Sequence, residues 1–115
     1  MELKLLVIGS SDPKRLADFY SLFNIEFTYH RHGNSPFHYG GKIGAVLLEV
    51  YPLSKNQLNA DVNLRIGFSV DDFDIAVERL KLANVKFDVE PKETDFGFMA
   101  IIFDPDGRKM ELYKK

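Results

Sequence analysis

A chain of 115 residues with 15 basic and 17 acidic side chains, a formal net charge of −2, gives nucleic acid or an anionic membrane no electrostatic reason to bind. Its 45% hydrophobic content suits a single globular domain with a real core, and the absence of cysteine excludes disulfides, thiolate metal sites and thiol nucleophiles. The apolar run at residues 5–8 is too short for a signal-peptide core or a membrane span, so a cytoplasmic protein is expected.

Residues 3–8 read as a short, mostly buried strand that Gly9-Ser10-Ser11-Asp12-Pro13 stops. Ser11 or Asp12 can cap a following helix, with Pro13 near its first position. Leu16, Phe19, Tyr20 and Phe23 recur at three- and four-residue spacing and make one apolar helical face, and Asn24 suits the exit. Residues 25–32 alternate: Ile25, Phe27 and Tyr29 take one face, and Glu26, Thr28, His30 and His32 the other. Gly33-Asn34-Ser35-Pro36 predicts a turn, residues 37–42 a third strand weakened by Gly40 and Gly41, and residues 45–51 a fourth. Gly40-Gly41 and Gly44 precede a strand rather than a helix, so they are no phosphate loop. Residues 52–61 are polar and irregular, and residues 54–61 form the expected linker.

The order then repeats. Residues 62–70 alternate as a strand, with Leu64, Ile66, Phe68 and Val70 on one face and Asn63, Arg65, Gly67 and Ser69 on the other. Asp71 or Asp72 caps a helix to about residue 83, whose stripe is Phe73, Ala76, Val77, Leu80 and Ala83, and Asn84 ends it. Residues 85–89 alternate as a strand, and residues 91–95 read as a loop. Asp104-Pro105-Asp106-Gly107 is a tight-turn signal joining the apolar run 98–103 to the alternating run 109–113. Leu47-Leu48-Glu49-Val50-Tyr51 and Lys109-Met110-Glu111-Leu112-Tyr113 end the two halves alike, as Glu-apolar-Tyr. Each half is therefore expected to be strand–helix–strand–strand–strand, about residues 1–53 and 62–115, in one α+β domain. A helix covers only one face of each sheet, and an incompletely closed eight-stranded barrel with a concave interior fits that count.

Three pieces of the chain resemble the vicinal oxygen chelate superfamily, which includes glyoxalase I, extradiol dioxygenases, fosfomycin resistance enzymes and bleomycin resistance proteins. They are Ser11-Asp12-Pro13 with residues 16–20, Phe68-Ser69-Val70-Asp71-Asp72, and Asp104-Pro105-Asp106-Gly107 with Met110-Glu111-Leu112. His32-Gly33, Pro36, His38-Tyr39 and Leu48-Glu49-Val50-Tyr51-Pro52 resemble a bacterial glyoxalase-like branch. The resemblance implies paired βαβββ modules around a cupped sheet, and a homodimer. It also implies, in the family's metalloenzymes, ligands from the first and last strands of each module. Those positions fall here at Leu5 and Glu49, and at Arg65 and Glu111. Leucine offers no donor atom and arginine is a permanent cation, so two of four ligand positions are lost and no metal cofactor is expected there.

The function expected is binding of a small, partly apolar or anionic molecule in the concave pocket. Arg65, Glu49, Glu111, His38, Tyr39 and Tyr51 are the candidate ligand-binding residues, and Glu49 and Glu111 the candidate catalytic ones. The alternative is a metal-dependent lyase, isomerase or dioxygenase using Glu49 and Glu111. Arg65 is expected beside Glu111, where a guanidinium can replace a cation. His30 and His32 share a strand face and His38 lies across a hairpin, so three imidazoles could make a zinc site. Such spacing is common by chance and no family motif requires it, so no metal is assigned to them. Tyr113, Phe37 and Phe98 complete the candidate pocket walls, with core packing the simpler role for each.

Overall fold

Each half of the chain folds as strand, helix and three strands in the computed structural model, which describes residues 1–115. The first unit, Met1–Ala60, contains β1 (Leu5–Ser10), α1 (Pro13–Ser21), β2 (Phe27–His30), β3 (His38–Ile43) and β4 (Val46–Pro52). The second, Asp61–Lys115, contains β5 (Ile66–Val70), α2 (Phe73–Leu82), β6 (Phe87–Thr94), β7 (Gly97–Phe103) and β8 (Lys109–Lys114). The sheets have the orders β1-β4-β3-β2 and β5-β8-β7-β6, each with its first and last strands parallel and the other pairs antiparallel. The two units thus share one topology, and the eight strands form two four-stranded mixed sheets rather than a closed barrel.

Strand register makes the duplication explicit. Val7 lies opposite Glu49, and Gly67 opposite Glu111. Leu5 and Arg65 each stand two residues before those partners and are therefore equivalent. The helices enter differently. Asp12 caps α1, its carboxylate accepting from the Arg15 amide at 3.1 Å. Asp72 holds the equivalent position at φ 48° with no capping hydrogen bond, while Asp71 pairs with Lys115 at 2.8 Å. Both helices leave through a left-handed asparagine, Asn24 at φ 63° and Asn84 at φ 60°. In the first unit α1 buries Leu16, Ala17, Phe19 and Tyr20 against β1, β3 and β4, which contribute Ile8, Leu48 and Val50. In the second, α2 buries Phe73, Ala76 and Leu80, with Phe73 edge-on to Phe98 at 5.7 Å. Ala83, expected in this stripe, is exposed one position past the helix.

Several element boundaries differ from expectation, among them β2, which covers only Phe27–His30 of the expected 25–32 and leaves His32 beyond its end. β1 runs through Ser10, and its Ser10 hydroxyl accepts from the Asp12 amide at 3.1 Å, so the turn begins later. Residues 62–65 are not strand: the Asn63 amide bonds the Asp61 carboxylate at 2.9 Å, a local turn that competes with pairing. Residues 91–94 are strand, not loop. β6 is an edge strand whose register shifts between Val89 and Lys92, and that irregularity accommodates Pro91, which has no amide hydrogen to donate.

Two local constraints hold the sheets. The β7–β8 turn is built on buried Asp104, whose Oδ1 accepts from the amides of Asp106 at 2.8 Å and Arg108 at 3.0 Å. Gly107 adopts φ 90° there, a conformation that favours glycine. In the first sheet, a β-carbon on Gly41 would stand 2.8 Å from the Glu26 carbonyl oxygen and 3.0 Å from Ile25 Cγ2 and Phe27 Cδ1. Backbone cannot move aside as a side chain can, so Gly41→Ala is expected to lower unfolding stability by about 1–3 kcal/mol. Urea denaturation checks this.

Candidate functional site

Strand alternation sorts the side chains of each sheet into a helix face and a helix-free face. In the first unit, Leu5 and Val7 of β1, Glu49 and Tyr51 of β4, His38 and Gly40 of β3, and Thr28 and His30 of β2 share the helix-free face. Glu49 is the centre of this group, only 6% exposed in spite of its charge. The His38 ring, fully buried, brings Nε2 to 3.1 Å from Glu49 Oε2, and His32 brings its own Nε2 to 3.6 Å. The imidazoles of His30, His32 and His38 lie with centroids 4.6–5.1 Å apart. One donor atom from each histidine and one from Glu49 fall within 4.8 Å of one another.

Two of the three rings are held from behind. His38 Nδ1 donates to the Pro36 carbonyl at 3.0 Å, and Tyr51 stacks on the same ring at 4.1 Å with planes 10° apart. His30 Nδ1 lies 3.1 Å from Thr28 Oγ1. Gly40 makes room for His30: a β-carbon there would be 2.9 Å from the ring's Cε1. Tyr39 does not join this group. As the neighbour of His38 in β3 it points to the opposite face, where it packs on Tyr29 at 4.6 Å, and Tyr29 stacks on Phe37 at 5.2 Å.

In the second unit the equivalent face carries Arg65, Glu111 and Tyr113. Arg65 Nη1 donates to Glu111 Oε2 at 3.1 Å, and the Tyr113 hydroxyl donates to Glu111 Oε1. The Arg65 side chain is about half exposed, that of Glu111 only 21%. Phe98 is on the other face, against Phe73. The hydrogen bond to Glu111 raises the Tyr113 pKa above its ordinary value, burial and the Glu111 charge add to this, and Arg65 opposes it. The phenol's proton is therefore favoured by folding. This contribution is fully present below about pH 10 and is lost as pH rises through the raised value. Glu111→Gln is expected to bring the Tyr113 titration down and Arg65→Met to push it further up. Phenolate difference absorbance against Tyr113→Phe reads both shifts.

The superfamily's usual metal does not fit these positions. Leu5 presents only hydrocarbon, and Glu111 already receives a guanidinium where a cation would sit. The Arg65–Glu111 pair is the one expected from sequence. The convergence of all three histidines on Glu49 was not; its signals were the shared face of His30 and Thr28, the hairpin partner His38, and a glycine between them. Buried Arg108 was missed as well, since nothing in a turn sequence marks an arginine for burial.

A family model described as the Glyoxalase/Bleomycin resistance protein/Dioxygenase superfamily matches residues 3–112. No match is found among curated proteins. Among solved structures, an antibiotic-binding protein from Streptomyces sp. CB03234, TnmS3, superposes with a TM-score of 0.80 at 23% identity, over 99% of this chain and 95% of that one. A glyoxalase/bleomycin resistance protein from the same organism gives a TM-score of 0.75 at 23% identity, over 97% and 99%. The oxidase ChaP-H2 gives 0.77 at 19% identity, over 100% and 94%. No helix is long and apolar enough to cross a membrane.

Proposed function

The chain belongs to the Glyoxalase/Bleomycin resistance protein/Dioxygenase superfamily, and from that premise we propose that it binds a small, partly apolar, anionic or carbonyl-bearing molecule without a metal at the family's usual positions. The observation that carries this reading is Arg65, whose side chain is about half exposed and whose guanidinium contacts Glu111 through Nη1. Such a group can offer parallel hydrogen bonds to a carboxylate or carbonyl. TnmS3, similar in fold, is an antibiotic-binding protein, which suits a binding role. A lyase, isomerase or dioxygenase built on a metal at Glu49 and Glu111 has less support, because Arg65 already provides the positive charge at Glu111.

Two probes test the reading by calorimetry, phenylpyruvate as an anionic carbonyl compound and bleomycin as a bulky antibiotic. Native mass spectrometry of freshly purified protein reports any retained small molecule and the homodimer implied by family resemblance. Saturable binding of a probe or a retained mass is expected. Arg65→Met should weaken it about 10- to 100-fold, the worth of one charge-assisted hydrogen bond. No binding at all, or binding unchanged in Arg65→Met, would overturn the proposal.

A further inference from the structure

We propose that His30, His32, His38 and Glu49 bind one divalent transition-metal ion, zinc above all, at a place that shares only Glu49 with the positions the resemblance implies for the superfamily's metal. The proposal does not depend on the small-molecule reading, which rests on the other unit's Arg65.

The donor set comes first. Three imidazole nitrogens and one carboxylate oxygen suit zinc and its neighbours, whereas magnesium and calcium want oxygen throughout. A tetrahedral zinc with bonds of about 2.0–2.1 Å places its ligand atoms about 3.3–3.4 Å apart. The separations of 3.1 Å from His38 and 3.6 Å from His32 to Glu49 Oε2 already bracket that spacing. All four donor atoms lie within 4.8 Å of one another, and the His32 side chain, 66% exposed, has open space around it in which to adjust.

The second observation is the orientation of His38. A carbonyl oxygen can only accept, so Nδ1, at 3.0 Å from the Pro36 carbonyl, carries a hydrogen. Nε2 then meets Glu49 Oε2 at 3.1 Å inside a buried contact. With the ring neutral and the carboxylate ionised, two lone pairs would face each other, and either a shared proton or a metal ion between them relieves that contact. A histidine that ligates through one nitrogen characteristically gives the other N–H to a carbonyl, as His38 does here.

The third observation is that the backbone is shaped to gather the rings. Gly40 is opposite Thr28 on one side and Glu49 on the other, and its missing side chain is the space the His30 imidazole occupies. Thr28 occupies His30 Nδ1, which leaves Nε2 for a ligand. An ion so placed ties β2, the two residues after it, β3 and β4 together, and β2 is a four-residue edge strand paired on one side only.

The test uses the full chain, stripped with chelator and titrated with cobalt(II) and zinc(II) alone. One ion per chain, the intense visible bands of tetrahedral cobalt, their loss on adding zinc, and a zinc-dependent rise in melting temperature are expected. The double variant His30→Ala, His32→Ala removes two donors outside the buried core, so it should fold as the metal-free protein does yet lose stoichiometric binding. Gly40→Ala keeps all four ligands but crowds the His30 ring, and should weaken affinity about 10- to 100-fold, as disturbed ligand positioning does. Arg65→Met should leave metal binding unchanged. Absence of stoichiometric binding by the wild-type chain would leave only a protonated His38–Glu49 pair and overturn the proposal. Undiminished binding by the double variant would place the ion elsewhere and overturn it equally.

Discussion

Replacing Arg108 with methionine is expected to lower unfolding stability by about 3–5 kcal/mol, the usual cost of leaving one member of a buried ion pair without the other. Arg108 is 3% exposed, and its Nη1 lies 3.2 Å from Asp104 Oδ2 and 3.6 Å from Asp106 Oδ2. Methionine fills comparable volume, so the loss reports charge rather than a void. Asp104→Ala should cost at least as much, because Asp104 Oδ1 also accepts from two turn amides, those of Asp106 and Arg108. Asp104→Asn keeps an oxygen for those amides and leaves Asp106 near the guanidinium, so it should be the mildest of the three. Guanidinium denaturation of the three variants gives the ranking. Equal and small losses would mean that the pair is solvated in practice and the turn is held by its backbone alone.

Leu112→Ala should be comparably damaging, about 3–5 kcal/mol, near the upper end for truncation of a buried leucine. Leu112 is fully buried on β8, a central strand of the second sheet. Its register neighbour on β7 is Ala100, also fully buried, which has no side chain to lean into the space left behind. Poor collapse around a cavity is what raises the cost. Leu82→Ala makes the control: Leu82 is 78% exposed at the end of α2, and its loss should be within about 0.5 kcal/mol of neutral. Thermal melts of both variants, with Gly41→Ala alongside, separate cavity formation from steric crowding.

Several features were legible because they depend on neighbours along the chain. Periodicity marked both helices, since Leu16, Phe19 and Tyr20, and Phe73, Ala76 and Leu80, are the residues that are buried. Asn24 and Asn84 marked the helix exits through their tolerance of positive φ. Alternation assigned Arg65 and Gly67 to one face and Ile66 and Phe68 to the other. The repeated Glu-apolar-Tyr ending identified Glu49 and Glu111 as equivalents, which register establishes. Pro91 misled for the same local reason: proline argues against a strand unless one knows that the strand is an edge with an irregular register.

The amino-acid sequence by itself determined the two βαβββ modules and the strand faces on which Arg65, Glu49 and Glu111 lie. These follow from side-chain chemistry and from periods of 2 and 3.6 residues, which need no knowledge of distant contacts. Only the tertiary structure decided that three histidines converge on Glu49, that Tyr39 turns away from them, and that Arg108 is buried over its own turn. Those outcomes depend on which strand pairs with which, in what register, and on what a glycine leaves empty. Pairing between strands far apart in the chain gathers the histidines on Glu49, and no local pattern encodes that register.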